Sequence, residues 1–350
     1  MKVLVIQQKM IGDVLAGTII CRAVKSEFPE AEIHYMVQPN TTPVLDNNPY
    51  IEKIIVFDPN KIAGVRGLMV FGLKLKNEKY DSVIDAYGKW ESIIPAYFSG
   101  AESRIGFYKW YTSAFYTKTI VQRKNIPGSA LYHRAQLAEA VTGKFPSLEF
   151  PKIFLSDIEI SEAKQNISGL KTNGSKIIMI SVLGSSSDKS LPADQMAATL
   201  DIIATSENIK LLFNYLPEQK EMAQIIFNHC KSSTKEKIIF DFYMKGLRPF
   251  LGLLSQCDAL VGNEGGAVNM AKALKIPTFT IFSPWINKSS WDMMTDSQRH
   301  VAVHLQDYFP ELYREVHPKK FKENWELMYK KFTPNLYKTQ LREFMDNLIS

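Results

Sequence analysis

The 350-residue chain contains no apolar run of the roughly 18 to 20 residues that cross a bilayer, which excludes a transmembrane helix as the organising element. It has only three cysteines, Cys21, Cys230 and Cys257, at distant positions and without ligand spacing, so a disulfide scaffold and a structural zinc site are both excluded. No Asp-x-Asp pair near a strand end and no cluster of histidines at ligand spacing occurs, and no metal site is expected. Met1-Lys2-Val3-Leu4-Val5-Ile6 enters a strand at once, without the cationic and long apolar regions of a secretory leader, and a cytoplasmic protein is expected. Acidic residues are missing from one whole stretch: residues 104–134 hold Arg104, Lys109, Lys118, Arg123, Lys124 and Arg134, seven aromatics, and no Asp or Glu. Cations interleaved with aromatic rings suit an anionic, amphipathic partner, while buried aromatics and solvated cations would leave the same pattern. No recognisable nucleic-acid motif accompanies it, and no nucleic-acid partner is expected.

What is present is a repeated alternation of apolar strands and helices. The first half predicts strands at 2–7, 32–37, 53–57, 81–84 and 104–107 with a helix over 14–28 that stops at Pro29. The pattern restarts with strands at 176–181, 210–215, 237–240, 259–261 and 278–282, and helices at 193–205, 218–230, 247–256 and 267–274. Such alternation means parallel sheets covered on both faces, and 350 residues exceed one ordinary core, so two α/β domains are expected. The hinge falls in the Gly- and Pro-bearing stretch that starts at Gly143, giving domains 1–155 and 156–317 and a helical, basic tail, 318–350, packed back on the first domain. Eight Lys or Arg against four Glu between Arg314 and Glu343 allow the tail to touch an acidic membrane surface, as well as to be a solvated face.

Ligands in open α/β sheets sit beyond the carboxyl ends of strands, which singles out three loops. Gln7-Gln8-Lys9-Met10-Ile11-Gly12-Asp13 follows the first strand, and Asp13 stands where a helix begins, either as its N-cap or as a general base. Ser181 to Pro192 follows the first strand of the second half; Ser186, Ser187 and Lys189 form a plausible diphosphate cradle. The segment Ala259 to Leu274 runs from strand through Asn263-Glu264-Gly265-Gly266 into a helix, where glycines admit a ligand and free N–H groups meet an anion. Its glycine spacing fits neither a Walker loop nor a dinucleotide fingerprint.

These same residues resemble the heptosyltransferase-like glycosyltransferases of family nine over most of the chain. The opening strand through Gly12-Asp13-Val14-Leu15 looks like the family's Gly-Asp loop, whose aspartate is the proposed base; Lys189 before Leu191-Pro192 matches a lysine on the donor diphosphate; Val261 to Ala271 resembles the Asn-Asp-Thr-Gly-x-x-His loop. Glu264 replaces the motif's aspartate, Gly265 its threonine and Asn269 its histidine, and Leu191 stands where tryptophan is common.

The resemblance implies a GT-B fold, two Rossmann-like doubly wound domains facing a central cleft, and metal-independent, inverting transfer of heptose from ADP-heptose to lipopolysaccharide core. With the residue chemistry above, this makes Asp13 the expected base; Ser186, Ser187, Lys189, Glu218, Asn263, Glu264, Gly265, Gly266 and Asn269 the expected contacts of the nucleotide-sugar donor; and Lys9, Gly12, Arg123, Lys124, His133 and Arg134 those of an anionic glycolipid acceptor. No cofactor is implied beyond the donor itself, and contact with the cytoplasmic face of the inner membrane is expected. A same-fold transferase with another sugar, a non-catalytic nucleotide-sugar-binding protein and an epimerase are the rival readings.

Overall fold

A strand apolar on both faces must be covered on both faces, and the helices between the strands supply the cover. Residues 1–62, 64–123, 126–171, 174–291, 298–314, 316 and 318–349 are described by a computed structural model. The elements of the first half are β1 Lys2–Ile6, α1 Ile11–Glu27, β2 Glu32–Val37, β3 Lys53–Val56, α2 Gly64–Lys76, β4 Ser82–Asp85, α3 Trp90–Phe98, β5 Ser103–Phe107, β6 Lys118–Ile120 and α4 Ser129–Thr142. The second half holds α5 Asp157–Ser168, β7 Lys176–Ser181, α6 Ala193–Ile203, β8 Ile209–Asn214, α7 Lys220–His229, α8 Ser232–Lys235, β9 Ile238–Ile239, α9 Leu247–Ser255, β10 Ala259–Asn263, α10 Gly266–Ala273 and β11 Thr278–Ile281. It continues with α11 Lys288–Trp291, β12 His300–Val303, α12 Leu305–Tyr308, α13 Trp325–Lys331 and α14 Pro334–Ile349.

The chain forms two units, Met1–Phe154 with Ser289–Met293, and Leu155–Lys288 with Met294–Ser350. Each carries one six-stranded sheet, ordered β3-β2-β1-β4-β5-β6 in the first and β12-β11-β10-β7-β8-β9 in the second. All pairings are parallel. Renumbered within its unit, the second order is the mirror reading of the first, so both sheets have the doubly wound Rossmann order with one topological switch point each. The switch lies between β1 and β4 in the first unit, where Ile6 pairs with Asp85, and between β7 and β10 in the second, where Ser181 pairs with Gly262.

Each unit has its own core. In the first unit Leu4, Ile6, Met36, Val83 and Ile94 pack beneath α2 and α3. In the second, Ile178, Ile180, Leu211 and Val261 meet α6 and the tail. The tail is a correction to the expectation that it packs on the first domain: Phe332, Tyr337, Leu341, Phe344 and Met345 are buried in the second unit's core. Phe279 of β11 lies 5.7 Å from the Phe344 ring, and the Tyr337 hydroxyl bonds Thr199 Oγ1 of α6 at 2.9 Å. Burial of each such side chain is worth about 1.5 to 3 kcal/mol, enough to commit the apolar stripe of α14 to this core.

The edge strands β6 and β12 were not expected from the pattern. Both are short, and Lys118 and Thr119 in β6 and His300 in β12 break the apolar run that marks a parallel strand.

Candidate functional site

In the first unit α1 begins at Ile11 with Met10 as its N-cap and no side-chain cap bond, so Asp13 is the third helical residue and not the cap. Its carboxylate is committed elsewhere. Asp13 Oδ1 accepts from Arg134 Nη2 at 2.6 Å, and Oδ2 has no protein partner among the described residues. The aspartate side chain is 25% exposed and the arginine 12%. Arg134, on α4, also donates to the Ala130 carbonyl at 2.9 Å and to Gln7 Oε1 at 3.2 Å, and its Nε is buried without a partner. Two of the sequence-singled residues, Asp13 and Arg134, thus meet here, with Gly12 buried beside them and Lys9 exposed. Arg134 was expected to bind acceptor; its guanidinium is largely spent on Asp13, Gln7 and its own helix.

The switch-point neighbour, Asp85 at the end of β4, was missed by sequence reasoning. It is fully buried; Oδ1 accepts from the Tyr87 and Gly88 N–H groups at 2.9 and 2.8 Å, and Oδ2 from the Tyr116 hydroxyl at 2.7 Å. Burial raises its carboxyl above the usual range, against these hydrogen bonds, which favour the charged form. The signal was there: a carboxylate ending an apolar strand and followed by Ala86-Tyr87-Gly88. Its effect is to fix the loop that leads into α3.

The basic and aromatic stretch divides in two. Phe107 and Tyr116 are buried, whereas Tyr108, Trp110 and Tyr111 are exposed. Arg123 is exposed, donates to the Tyr132 hydroxyl and lies over that ring at 5.7 Å; His133 Nε2 lies 2.9 Å from the Arg123 carbonyl. Lys124 lies outside the described residues.

In the second unit two loops are pinched together at the switch point. A Cβ on Gly262, whose φ is +134°, would sit 2.3 Å from the Ser181 carbonyl oxygen, and one on Gly184 would sit 2.4 Å from that of Lys189. Only glycine permits either approach. Asn263 completes the pinch: its Nδ2 donates to the Ser181 and Val182 carbonyls at 3.1 and 2.9 Å and its Oδ1 accepts from Leu191 N–H at 2.8 Å. Asn263 was expected to touch the donor. It is fully buried with its amide spent on backbone, and it positions the loop instead.

This framework brings Lys189 Nζ to 3.9 Å from Glu264 Oε1. That oxygen is buried without a hydrogen-bond partner, and burial pushes the carboxyl up, with Lys189 opposing. Gly265 and Gly266 open α10, and Asn269 Nδ2 donates back to the Gly265 carbonyl at 3.2 Å. Lys189 also lies over the Trp285 ring at 5.5 Å, on which Lys322 stacks at 4.8 Å. Trp285 Nε1 and Ser283 Oγ both donate to the Asp188 carbonyl, at 2.9 and 2.8 Å, which fixes the indole beside the loop. Trp285 and Lys322 were missed, although Trp285 follows the end of β11, where ligands of such sheets bind. Ser186, Ser187 and Glu218 line a different feature, a cavity of about 590 Å³ shared with Gln195 and Trp325. Gln195 Oε1 is buried there without a partner.

The second site therefore holds two ammonium groups, Lys189 beside Glu264 and Lys322 at 3.7 Å from the Asp188 carboxylate, together with a helix start, a set able to bind a diphosphate and a polyhydroxyl group. No group of three or more metal-ligating side chains occurs among the described residues, and no described helix is long and apolar enough to cross a membrane.

Comparison with known proteins identifies the family and the fold. The profile of "Glycosyltransferase family 9 (heptosyltransferase)" matches residues 69–319. Lipopolysaccharide heptosyltransferase 1 of Campylobacter coli is 23% identical over 292 residues, covering 81% of this chain and 84% of that protein. The glycosyl transferase family 9 structure from Veillonella parvula superposes with a TM-score of 0.76 at 18% identity, covering 98% of this chain and 97% of its own. An E. coli heptosyltransferase solved with ADP-2-deoxy-2-fluoro heptose gives 0.70 at 16% identity, covering 98% and 99%. The two-unit Rossmann-like architecture is that of the GT-B fold.

Proposed function

The chain belongs to glycosyltransferase family 9, and on that premise we propose that it is a metal-independent, inverting transferase that moves heptose from ADP-heptose onto an anionic, lipid-linked core saccharide. One observation carries the reading: beside the first switch point stands a carboxylate, Asp13, with one oxygen outside its pair with Arg134, and beside the second an ammonium, Lys189, lies 3.9 Å from a buried Glu264 oxygen that makes no hydrogen bond. Asp13 Oδ2 takes the proton of an acceptor hydroxyl as its oxygen attacks the anomeric carbon. The bond from that carbon to the diphosphate oxygen breaks, and ADP leaves with the electron pair. Lys189, Lys322 and the first amides of α10 stabilise the developing charge. Arg134 holds Asp13 in place without taking part in proton transfer.

Glu264 receives hydroxyl groups of the donor, because a buried acceptor without a partner costs about 1 to 3 kcal/mol until a ligand donor satisfies it. Ser186, Ser187 and Glu218 extend the donor site toward their shared cavity. An acceptor that is a membrane lipid brings this chemistry to the cytoplasmic face of the inner membrane. The relative solved with an ADP-heptose analogue supports ADP-heptose as the first donor to test. The test is release of ADP from ADP-heptose in the presence of detergent-dispersed core lipid lacking heptose. A panel of other nucleotide sugars runs in parallel, read by thermal shift and turnover. Turnover with a different sugar alone would overturn the donor assignment. Binding of nucleotide sugars with no transfer to any glycolipid would leave a non-catalytic binding protein.

A further inference from the structure

We propose that the turn between β5 and β6, with the flanking start and end of α3, is a preformed docking surface for an acidic lipid bilayer. The observation is a group of large aromatics that the fold leaves in solvent. Trp110 is 83% exposed, Tyr108 53% and Tyr111 50%, and Trp90 and Tyr97 are nearly half exposed. They fall into two groups: on α3, Trp90 and Tyr97 both stack edge-on against Phe115, with centroids 5.6 and 5.5 Å apart, and on the turn Trp110 stacks on Tyr111 at 5.5 Å. Single exposed apolar residues are ordinary, but five large aromatics left in solvent on one turn and the helix beside it mark an interaction surface.

The turn is built to hold these rings outward. Tyr108 N–H bonds the Ile120 carbonyl of β6 at 2.8 Å, and the Thr112 and Ser113 N–H groups both bond the Lys109 carbonyl at 3.0 Å. Lys109 Nζ is tied to the Gly88 carbonyl at 2.6 Å, and Thr112 is buried beneath. A tip already ordered in water loses little conformational freedom on docking. Its chemistry selects the occupant. Indole and phenol rings have an apolar body and a polar edge, the composition of side chains that settle at the headgroup level of membranes. Arg104 lies over the Tyr97 ring at 5.5 Å, and Lys89 and Lys109 directly precede Trp90 and Trp110 in the chain; Glu91 and Glu102 are the neighbouring acids, so the local balance is positive. An acidic bilayer surface satisfies both properties at once.

This surface deepens the reading of a lipid-linked acceptor, but its readout needs no sugar. Full-length protein is sedimented with vesicles of phosphatidylcholine alone and of phosphatidylcholine with phosphatidylglycerol, at low and high salt. The expected result is binding to the acidic vesicles that salt weakens, and a loss of about tenfold or more in partitioning for the Trp110→Ser/Tyr111→Ser double variant. Both side chains are exposed, so the variant should keep its melting temperature and the shift produced by donor; transfer to detergent-dispersed acceptor should also persist. Quenching of wild-type tryptophan emission by brominated lipid, reduced in Trp110→Phe and lost in Trp90→Phe/Trp110→Phe, gives an independent positive result. The proposal is overturned if wild type ignores acidic vesicles, if the double variant binds them as well as wild type, or if the protein forms a lipid-free dimer that the double variant abolishes, which would make a second copy the occupant. Normal vesicle binding with no sugar transfer would sink the proposed function and leave the surface standing.

Discussion

Replacing Asp13 by Asn separates the chemical from the structural role of that side chain, because the structure states what the structural role is. Asp13 does not cap α1; its carboxylate neutralises a guanidinium that is 12% exposed. Asparagine keeps the volume and an acceptor oxygen for Arg134 Nη2 but removes the charge, so a mostly buried cation loses its counter-ion. A charge-assisted hydrogen bond reduced to a neutral one predicts a loss of about 1 to 2 kcal/mol in unfolding free energy, less than the larger penalty for leaving a buried charge wholly unpaired. Loss of a positioned general base predicts a fall in turnover of about 100-fold to 10,000-fold. The double variant Asp13→Asn/Arg134→Met removes the unpaired cation as well. Denaturant melts should show part of the lost stability returning in the double variant, while turnover on a glycolipid acceptor stays at the level of Asp13→Asn. Recovery of turnover together with stability, or turnover of Asp13→Asn within about tenfold of wild type, would refute the base assignment and reduce Asp13 to a counter-ion for Arg134.

Three further outcomes are expected. Lys189→Ala should weaken ADP binding by about 1.5 to 3 kcal/mol, roughly ten- to a hundredfold by calorimetry, and an unchanged affinity would remove Lys189 from the donor site. Transfer should be the same in chelator as in added magnesium or manganese, and activity that vanishes in chelator and returns with metal would defeat metal independence. His304 is fully buried at the end of β12, and burial pushes its imidazole down to about 4 from 6.5. The unfolded chain therefore binds a proton that the folded one refuses between these values. The associated stability is present above pH 6.5 and is lost as pH falls toward 4, by about 3 kcal/mol at most. Urea melts of His304→Asn, which keeps an acceptor for the Gln306 N–H that His304 Nδ1 now caps, should lose that slope; an identical slope would place the acid sensitivity elsewhere.

The fold was legible because parallel strands announce themselves as unbroken apolar runs: Val3 to Ile6 and Ile177 to Ile180 are buried on both faces. Two of the four edge strands, β6 and β12, were not: with one neighbour each they are short and tolerate Lys118 and His300. The loops after β1, β7 and β10 were located from the same rule. What each side chain does inside them was less legible, because hydrogen-bond saturation is set by partners far along the chain. Asn263 reads as a ligand contact until the Leu191, Ser181 and Val182 backbones claim it, 72 to 82 residues away. Arg134 reads as an acceptor cation until Asp13, 121 residues earlier, is found against it. Trp285 and Lys322 carry no motif and come to Lys189 only through the sheet order. The tail's basic face was visible in sequence, but the destination of its apolar stripe depended on which unit offered a matching surface.

The segment that follows β11 alters how the protein must be made. Gly128, the residue before α4, donates its N–H to the Ser289 carbonyl at 2.7 Å, and Trp291 packs with Ala16, Ala130, Leu131 and Phe150. Those contacts brace α1 and α4, the two helices that carry Asp13 and Arg134. On a ribosome adding roughly 5 to 20 residues each second, α1 and α4 emerge long before Trp291 exists. Until then Ala16, Ala130 and Leu131 lack the cover that Trp291 gives them. The first unit, complete in its strands once β6 is made, reaches its final packing only after most of the second has been translated. A nascent chain stalled before residue 289 would therefore hold a folded sheet with unfinished packing around Asp13 and Arg134.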